Sequence, residues 1–185
     1  DRCGSGQRGV AMHCPVIYIM SGALIEVKID DKEVRDLLSR IAAKTGNLTP
    51  AMKIIGEIVV RSVKENFRQG GRPEKWKPLS QRTLHGVVGK KGYKKSGELR
   101  AGSVRRLKDR KILVASKRLM DSISYKEEKD KVTIGTNVVY GALHQFGGKA
   151  GRGKKVNVPE RPFLMVQDED WPAIKEALED YLMRN

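Results

Sequence analysis

Aromatic side chains are scarce in this sequence: Trp, Tyr and Phe together make up 5% of its 185 residues. A core built from it must be mostly aliphatic, and nucleic-acid bases would find few rings to stack on. Histidine is rarer still. His13, His85 and His144 are the full set, and none stands in H-x-x-x-H, H-x-E or a related metal-ligand spacing. The two cysteines, Cys3 and Cys14, have ten residues between them and only His13 nearby. A structural zinc site wants four ligands in a compact pattern, and a redox pair would read C-x-x-C. They read instead as incidental thiols in a reducing cytoplasm. Long apolar runs are missing too. Ile17 to Ile29 is the most apolar early region, but Glu26 and Lys28 interrupt it, whereas a membrane span needs about 18 or more apolar residues. The expectation is a soluble protein with no membrane contact.

Catalytic constellations are also absent. A hydrolase or transferase needs a nucleophile with a base and oxyanion donors, or a metal cluster. His144 lies in Val139-Tyr140-Gly141-Ala142-Leu143-His144-Gln145-Phe146-Gly147, which offers it no carboxylate or Ser partner; it reads as a polar helix-end residue packing on a neighbouring loop. The glycine-rich stretches GVVGKKGYKKSGE and FGGKAGRGKK do not match G-x-x-x-x-G-K-[ST] and do not join a buried strand to a helix. They read as flexible cationic loops. No enzyme activity and no cofactor are expected.

What the sequence has in excess is positive charge. The net charge is +15, and the segment from Gly89 to Arg118 holds twelve Lys or Arg against Glu98 and Asp109, for +10. The remainder is nearly balanced, so the cationic character is local. Such a segment can attract phosphates without reading sequence; equally, it can be a solvated loop or face an acidic protein surface. Tyr93 is its only aromatic. The residues singled out for DNA or partner contact are Lys90, Lys91, Lys94, Lys95, Arg105 and Arg106.

Periodicity organises the rest. Residues 1–19 show none, and Met20-Ser21-Gly22 reads like an ordinary start, so 1–19 are expected to be disordered or non-native and 20–185 to form a single domain. Ile25, Val27 and Ile29 alternate as in a half-buried strand. Asp30 or Asp31 can cap a helix with Val34, Leu37, Leu38, Ile41 and Ala42 on its buried face, stopped at Gly46. Thr49 as N-cap and Pro50 in the first position start a second helix, with the stripe Met52, Ile55, Val59, Val63 and Phe67.

From Arg68 to Lys111 the pattern fades. Seven Gly, two Pro and most of the excess charge suggest an extended basic loop or arm, with a short helix at Pro78–Leu84 capped by Ser80. Order returns with a helical turn at Ala115–Met120. A β-hairpin follows across Glu128-Lys129-Asp130, then a short helix at Val139–Phe146 and an edge strand at Val156–Val158. A terminal helix carries Trp171, Ile174, Leu178 and Tyr181 on one face. The fold expected is α+β: a small antiparallel sheet packed by two or three helices.

Trp76 and Arg161-Pro162-Phe163 are aromatic and cationic residues beside prolines, and Phe146 ends the short helix. Packing a loop onto the core is one reading; contact between subunits is the other, because aromatics and Arg are enriched at interface centres. The candidate interface residues are therefore Trp76, Phe146, Arg161, Pro162 and Phe163.

Six short segments carry a family resemblance. They are Trp76-Lys77-Pro78-Leu79-Ser80 with Thr83, Ile112-Leu113, Leu119 through Ile123, Val132 through Asn137, Tyr140 through Gly147, and Val158 through Leu164. In this order they resemble the phage virion morphogenesis family, which includes tail-completion proteins of contractile-tailed phages and Mu-like morphogenesis proteins. The chain departs from that pattern at Lys117, where a Gly is usual, and at Gly141, where a small Ala is usual. The resemblance implies a non-catalytic virion protein that finishes the tail or stabilises its union with the head, at the neck or tail end. It implies action in the host cytoplasm during assembly, from a phage or a prophage. Its partners would be itself in a hexameric ring, other neck and tail proteins, and genomic double-stranded DNA in the channel. The alternative is a non-sequence-specific nucleic-acid-binding protein that uses the 89–118 segment.

Overall fold

The computed structural model describes residues 17–18, 23–27, 29, 31–108 and 110–184. The α+β architecture follows from the two periodicities. Strand β1 (Ile17–Tyr18) pairs with β2 (Ala23–Glu26), and β2 pairs with β4 (Val132–Thr136), which also pairs with β3 (Ser124–Glu127). The order is β1-β2-β4-β3 and every pairing is antiparallel. Ile25 faces Ile134 in the register, and Ala23, Ile25, Val27, Val132 and Ile134 are all buried. Of the residues expected to stand apart, 1–19, Ile17 and Tyr18 belong to this sheet; residues 1–16 and 19 lie outside those described.

Helix α1 (Lys32–Thr45) is capped by Asp31, whose carboxylate accepts from the Val34 amide at 2.9 Å, and ends at Gly46 in the left-handed conformation. Its core stripe is Val34, Leu37, Leu38 and Ile41. Helix α2 (Thr49–Gln69) buries Met52, Ile55, Val59, Val63 and Phe67 to within 1% of full burial. Its start differs from expectation. Leu48 occupies the N-cap without a side-chain bond, while the Asn47 side chain accepts from the Thr49 amide at 2.9 Å. The capping acceptor thus comes from two residues upstream, and the Thr49 hydroxyl does not supply it.

The helices lie on one face of the sheet. Helix α7 (Asp170–Arg184) packs against both α1 and α2, and α2 packs against β3 and β4. Helix α7 runs parallel to α1: Lys175 pairs with Glu33 at one end, and Lys44 reaches the Leu182 carbonyl at the other. Close approach of α2 to the sheet rests on Gly56. A Cβ there would lie 2.5 Å from the Tyr125 ring, so only a glycine lets that ring seat against the helix.

The segment expected as an irregular arm is largely folded. It contains α3 (Gln81–Val88), capped by Ser80 through the Thr83 amide at 3.2 Å, and α4 (Ala101–Lys108). A Tyr93–Leu99 bridge and the Arg100 amide bond to the Gly92 carbonyl, at 2.9 Å, close the connection between them. Each helix has only eight residues and an internal glycine, Gly86 or Gly102. Burial there is confined to a few positions, chiefly Val88, Gly92 and Ser103. Two turns with one or two buried positions cannot display an amphipathic stripe, which is why the pattern fades.

Two short elements complete the chain before α7. Helix α5 (Arg118–Asp121) follows Lys117, which takes the left-handed conformation at φ 58°, the backbone that favours glycine. Helix α6 (Gly141–Phe146) leads into a separate two-stranded hairpin, β5 (Gly148–Ala150) with β6 (Val156–Val158). The edge strand expected at Val156–Val158 therefore pairs with residues expected as loop. Gly141 sits where a Cβ would meet the Thr136 methyl at 2.7 Å.

Candidate interaction surfaces

The segment between the hairpin and α7 is irregular yet buried. Arg161, Phe163, Leu164 and Gln167 are each 6% exposed or less. Irregular backbone inside a protein leaves polar groups that must find partners, and here side chains of the flanking helices supply them. The Gln145 carbonyl oxygen on α6 accepts from the Phe163 and Leu164 amides, both at 2.9 Å, and its amide donates to the Leu164 carbonyl at 3.1 Å. Asn66 on α2 donates to the Phe163 carbonyl at 3.0 Å.

Arg72 extends the network, donating to Asn66 Oδ1 at 2.9 Å and to the Ser62 carbonyl and hydroxyl at 2.7 Å, and pairing with Glu169. Asp170 caps the turn before α7 by accepting from the Gln167 amide at 2.8 Å. Burial pushes its carboxyl above the usual range, opposed by that amide, by Ser62 and by the Arg72 charge.

This geometry decides the reading of three candidate residues. Trp76 donates its indole N–H to the Pro162 carbonyl at 2.8 Å and meets Phe67 edge-on, with ring centroids 5.7 Å apart. Phe163 also lies against Phe67, with ring centroids 5.1 Å apart. Arg161 donates to the Lys77 and Pro78 carbonyls at 3.1 and 3.3 Å, and burial lowers its pKa. Trp76, Arg161 and Phe163 thus tie the 72–80 loop to the 161–167 segment inside the subunit. Their burial withholds them from a partner's surface. Phe146 and Pro162 remain exposed; Val139, Tyr140, Phe146 and Val156 are from 39% to 77% exposed. An open pocket beside Val139 and Tyr140 is lined also by Arg118, Ser122, Asn137 and Val138.

His144 lies on α6. Its backbone carbonyl accepts from the Arg161 amide at 2.7 Å, its ring meets Tyr140 edge-on, and its buried Nδ1 has no hydrogen-bond partner. Burial, and then the Arg161 charge, hold its pKa below the usual imidazole range. Both effects favour the neutral imidazole. Among the described residues no group of three or more His, Cys, Asp or Glu could hold a metal, and no helix is long and apolar enough to cross a membrane.

Exposed cations include two local groups. On the α3–α4 unit, Lys91, Lys95, Arg105 and Arg106 are exposed, and Lys94 is exposed while pairing with Glu98 at 3.0 Å. Lys90 begins the turn between Gly89 and Tyr93. On the β5–β6 hairpin, Lys149, Arg152, Lys154 and Lys155 are all exposed. The sequence reading missed the buried polar network. Its signal was present: Ser62 and Asn66 fall three and seven residues after Val59, on the face that carries the apolar stripe.

The described chain is a small antiparallel sheet packed by α2, with α7 and α1 layered beside it, and its surface carries exposed cations and exposed apolar side chains. Comparison supplies the family. The phage virion morphogenesis family matches residues 29–183, and the chain belongs to it. It is 35% identical over 159 residues to Mu-like prophage FluMu G protein 2 of Haemophilus influenzae, covering 85% of this chain and 96% of that one. It is 30% identical over 124 residues to an uncharacterized protein of Methanocaldococcus jannaschii, covering 66% of this chain and 75% of that one. No solved structure matches. Membership gives the chain a role in phage virion morphogenesis.

Proposed function

We propose that this chain is a structural subunit that completes the tail and joins it to the head, at the neck or tail terminus of a tailed phage or prophage. The observation that carries the reading is the family match across nearly the whole folded chain, together with a full-length similarity to a Mu-like prophage protein. The subunit acts as a closed six-fold ring. A joint that surrounds a DNA channel needs several copies of a subunit of 20.7 kDa, and head-to-tail contacts close into rings when the rotation permits. Phe146, Pro162, Val139 and Tyr140 supply exposed contact surface. Other neck and tail proteins are its further partners. It assembles in the host cytoplasm and remains in the virion.

The test is deletion of its gene from an inducible phage or prophage. The expected result is filled heads and separate tails that join when purified protein is added back. Normal particles from the deletion would overturn the reading.

A second reading has its own observation, the exposed cations Lys91, Lys95 and Arg106 on the α3–α4 unit. They suit sequence-independent contact with DNA phosphates in the channel. Binding of the dilute chain to short duplex DNA, weakening steeply with salt, supports it; binding unaffected by salt, or none, counts against it.

A further inference from the structure

The β5–β6 hairpin belongs to no part of the core. Every residue from Gly151 to Asn157 is exposed, including Val156 at 52%, and a two-stranded hairpin is marginal in water without support. Between Phe146 and Glu160 it carries Lys149, Arg152, Lys154 and Lys155 and no acid. Among the described residues none of these four cations has an ion pair. The hairpin thus presents an unpaired positive surface flanked by the exposed apolar side chains of Phe146 and Val156.

A complementary surface lies elsewhere on the same chain. In a protein of net charge +15, residues 168–184 hold six acids against Lys175 and Arg184, for −4. Helix α7 turns Ile174 and Leu178 inward and leaves Glu176, Glu179, Asp180 and Met183 exposed. These four fall at i, i+3, i+4 and i+7, along one stripe of the helix. Asp180 is held loosely by Arg184 at 3.8 Å, whereas Glu176 and Glu179 have no ion pair among the described residues. Met183 is 85% exposed at the end of the stripe. An acidic stripe with an apolar end matches a cationic hairpin with apolar flanks, in charge and in make-up.

We infer that the β5–β6 hairpin of one copy docks along the exposed face of α7 of the next copy, with Lys154 and Lys155 against Glu176 and Glu179. This rests on the ring reading and names the two surfaces that mate in it. The two surfaces are different parts of the chain, so the contact is head-to-tail, the kind that propagates around a ring. Much of the attraction is between exposed charges and is screened by salt.

The test uses the full chain in equal amounts of ordinary and 15N-labelled protein, joined by a zero-length carbodiimide that captures even brief Lys–carboxylate contacts. Mixed-isotope peptides linking Lys154 or Lys155 to Glu176 or Glu179 are expected. The charge reversals K154E/K155E and E176K/E179K should each lower self-association, read as mixed-isotope dimers with a charge-independent cross-linker, by about ten-fold or more, since like charges then face each other. Mixing the two variants should restore it, because each then offers the other an attractive pair. Thermal melts of both variants should match the parent, because all four positions are exposed.

Absence of the mixed-isotope peptides, or no rescue on mixing, overturns the inference. Loss of DNA binding by K154E/K155E while E176K/E179K self-associates normally would assign the hairpin to nucleic acid and overturn it as well. Particle images judge the ring separately: a ring without these cross-links sinks this pairing alone, and cross-links without a ring sink the ring reading.

Discussion

Between Phe146 and Asp170 the chain passes through two segments outside the main sheet and the long helices, each carrying an arginine and glycine or proline. The first is rich in Lys and Gly; the second carries Phe163-Leu164-Met165-Val166. The β5–β6 hairpin stands in solvent, while residues 161–167 are largely buried among α2, α6 and the 72–80 loop. Backbone hydrogen bonding makes the difference. The hairpin satisfies its own backbone across β5 and β6, so it can stand off the core. The second segment has no strand partner, and Gln145, Asn66 and Asp170 reach in to supply what its own backbone lacks, while the Gln167 side chain donates to the Arg72 carbonyl. An irregular segment is buried where flanking helices bring it donors and acceptors. One that pairs with itself is free to meet another molecule.

The comparison can be broken most forcefully at Phe163. Phe163→Ala removes a fully buried ring wedged against Phe67, and the expected loss is about 3–5 kcal/mol of unfolding free energy. Urea titration followed by circular dichroism measures it; a loss under ~1 kcal/mol would mean the segment is less firmly packed than its burial indicates. Gln145→Leu comes next. It keeps the volume but strands the Phe163 and Leu164 amides, at roughly 1–3 kcal/mol for each buried donor. Amide hydrogen exchange should quicken at those two residues before it quickens in β4.

Arg161→Met sharpens the account, because it keeps the packing stem and removes only the bonds to the Lys77 and Pro78 carbonyls. About 1.5–3 kcal/mol is expected. Increased proteolysis within residues 72–80 should accompany it. The smallest effect belongs to the hairpin. Replacing Lys149, Arg152, Lys154 and Lys155 together by Gln should leave stability within about 0.5 kcal/mol, as exposed charges allow. A large loss would show that the hairpin is part of the fold.

How much of this was legible depended on length and on burial. The stripes of α1 and α2 run over three or more turns, so their spacing announces both the helices and their core faces. Ile25, Val132 and Ile134 likewise announce their strands through alternation. Helix α4 gave no such signal, because Ser103 is its one buried side chain. Trp76, Arg161 and Phe163 were visible as unusual residues, but the sequence could not say whether they faced inward or outward. That choice is made by partners 84 and 86 residues away, the Lys77 carbonyl for Arg161 and the Pro162 carbonyl for Trp76. Lys117 was visible as a departure from a usual glycine, and the backbone there explains the glycine preference, with φ at 58°.

The proposal that this subunit forms a closed ring at the neck or tail end is tested most directly by a reconstruction of the purified particle, without symmetry imposed along the tail axis. The expected result is a six-fold ring at the head–tail joint or tail terminus, with residues 29–183 placed in each copy and the hairpin of one seated on α7 of the next. A particle in which the subunit is absent from both places, or present there as single copies, would contradict it.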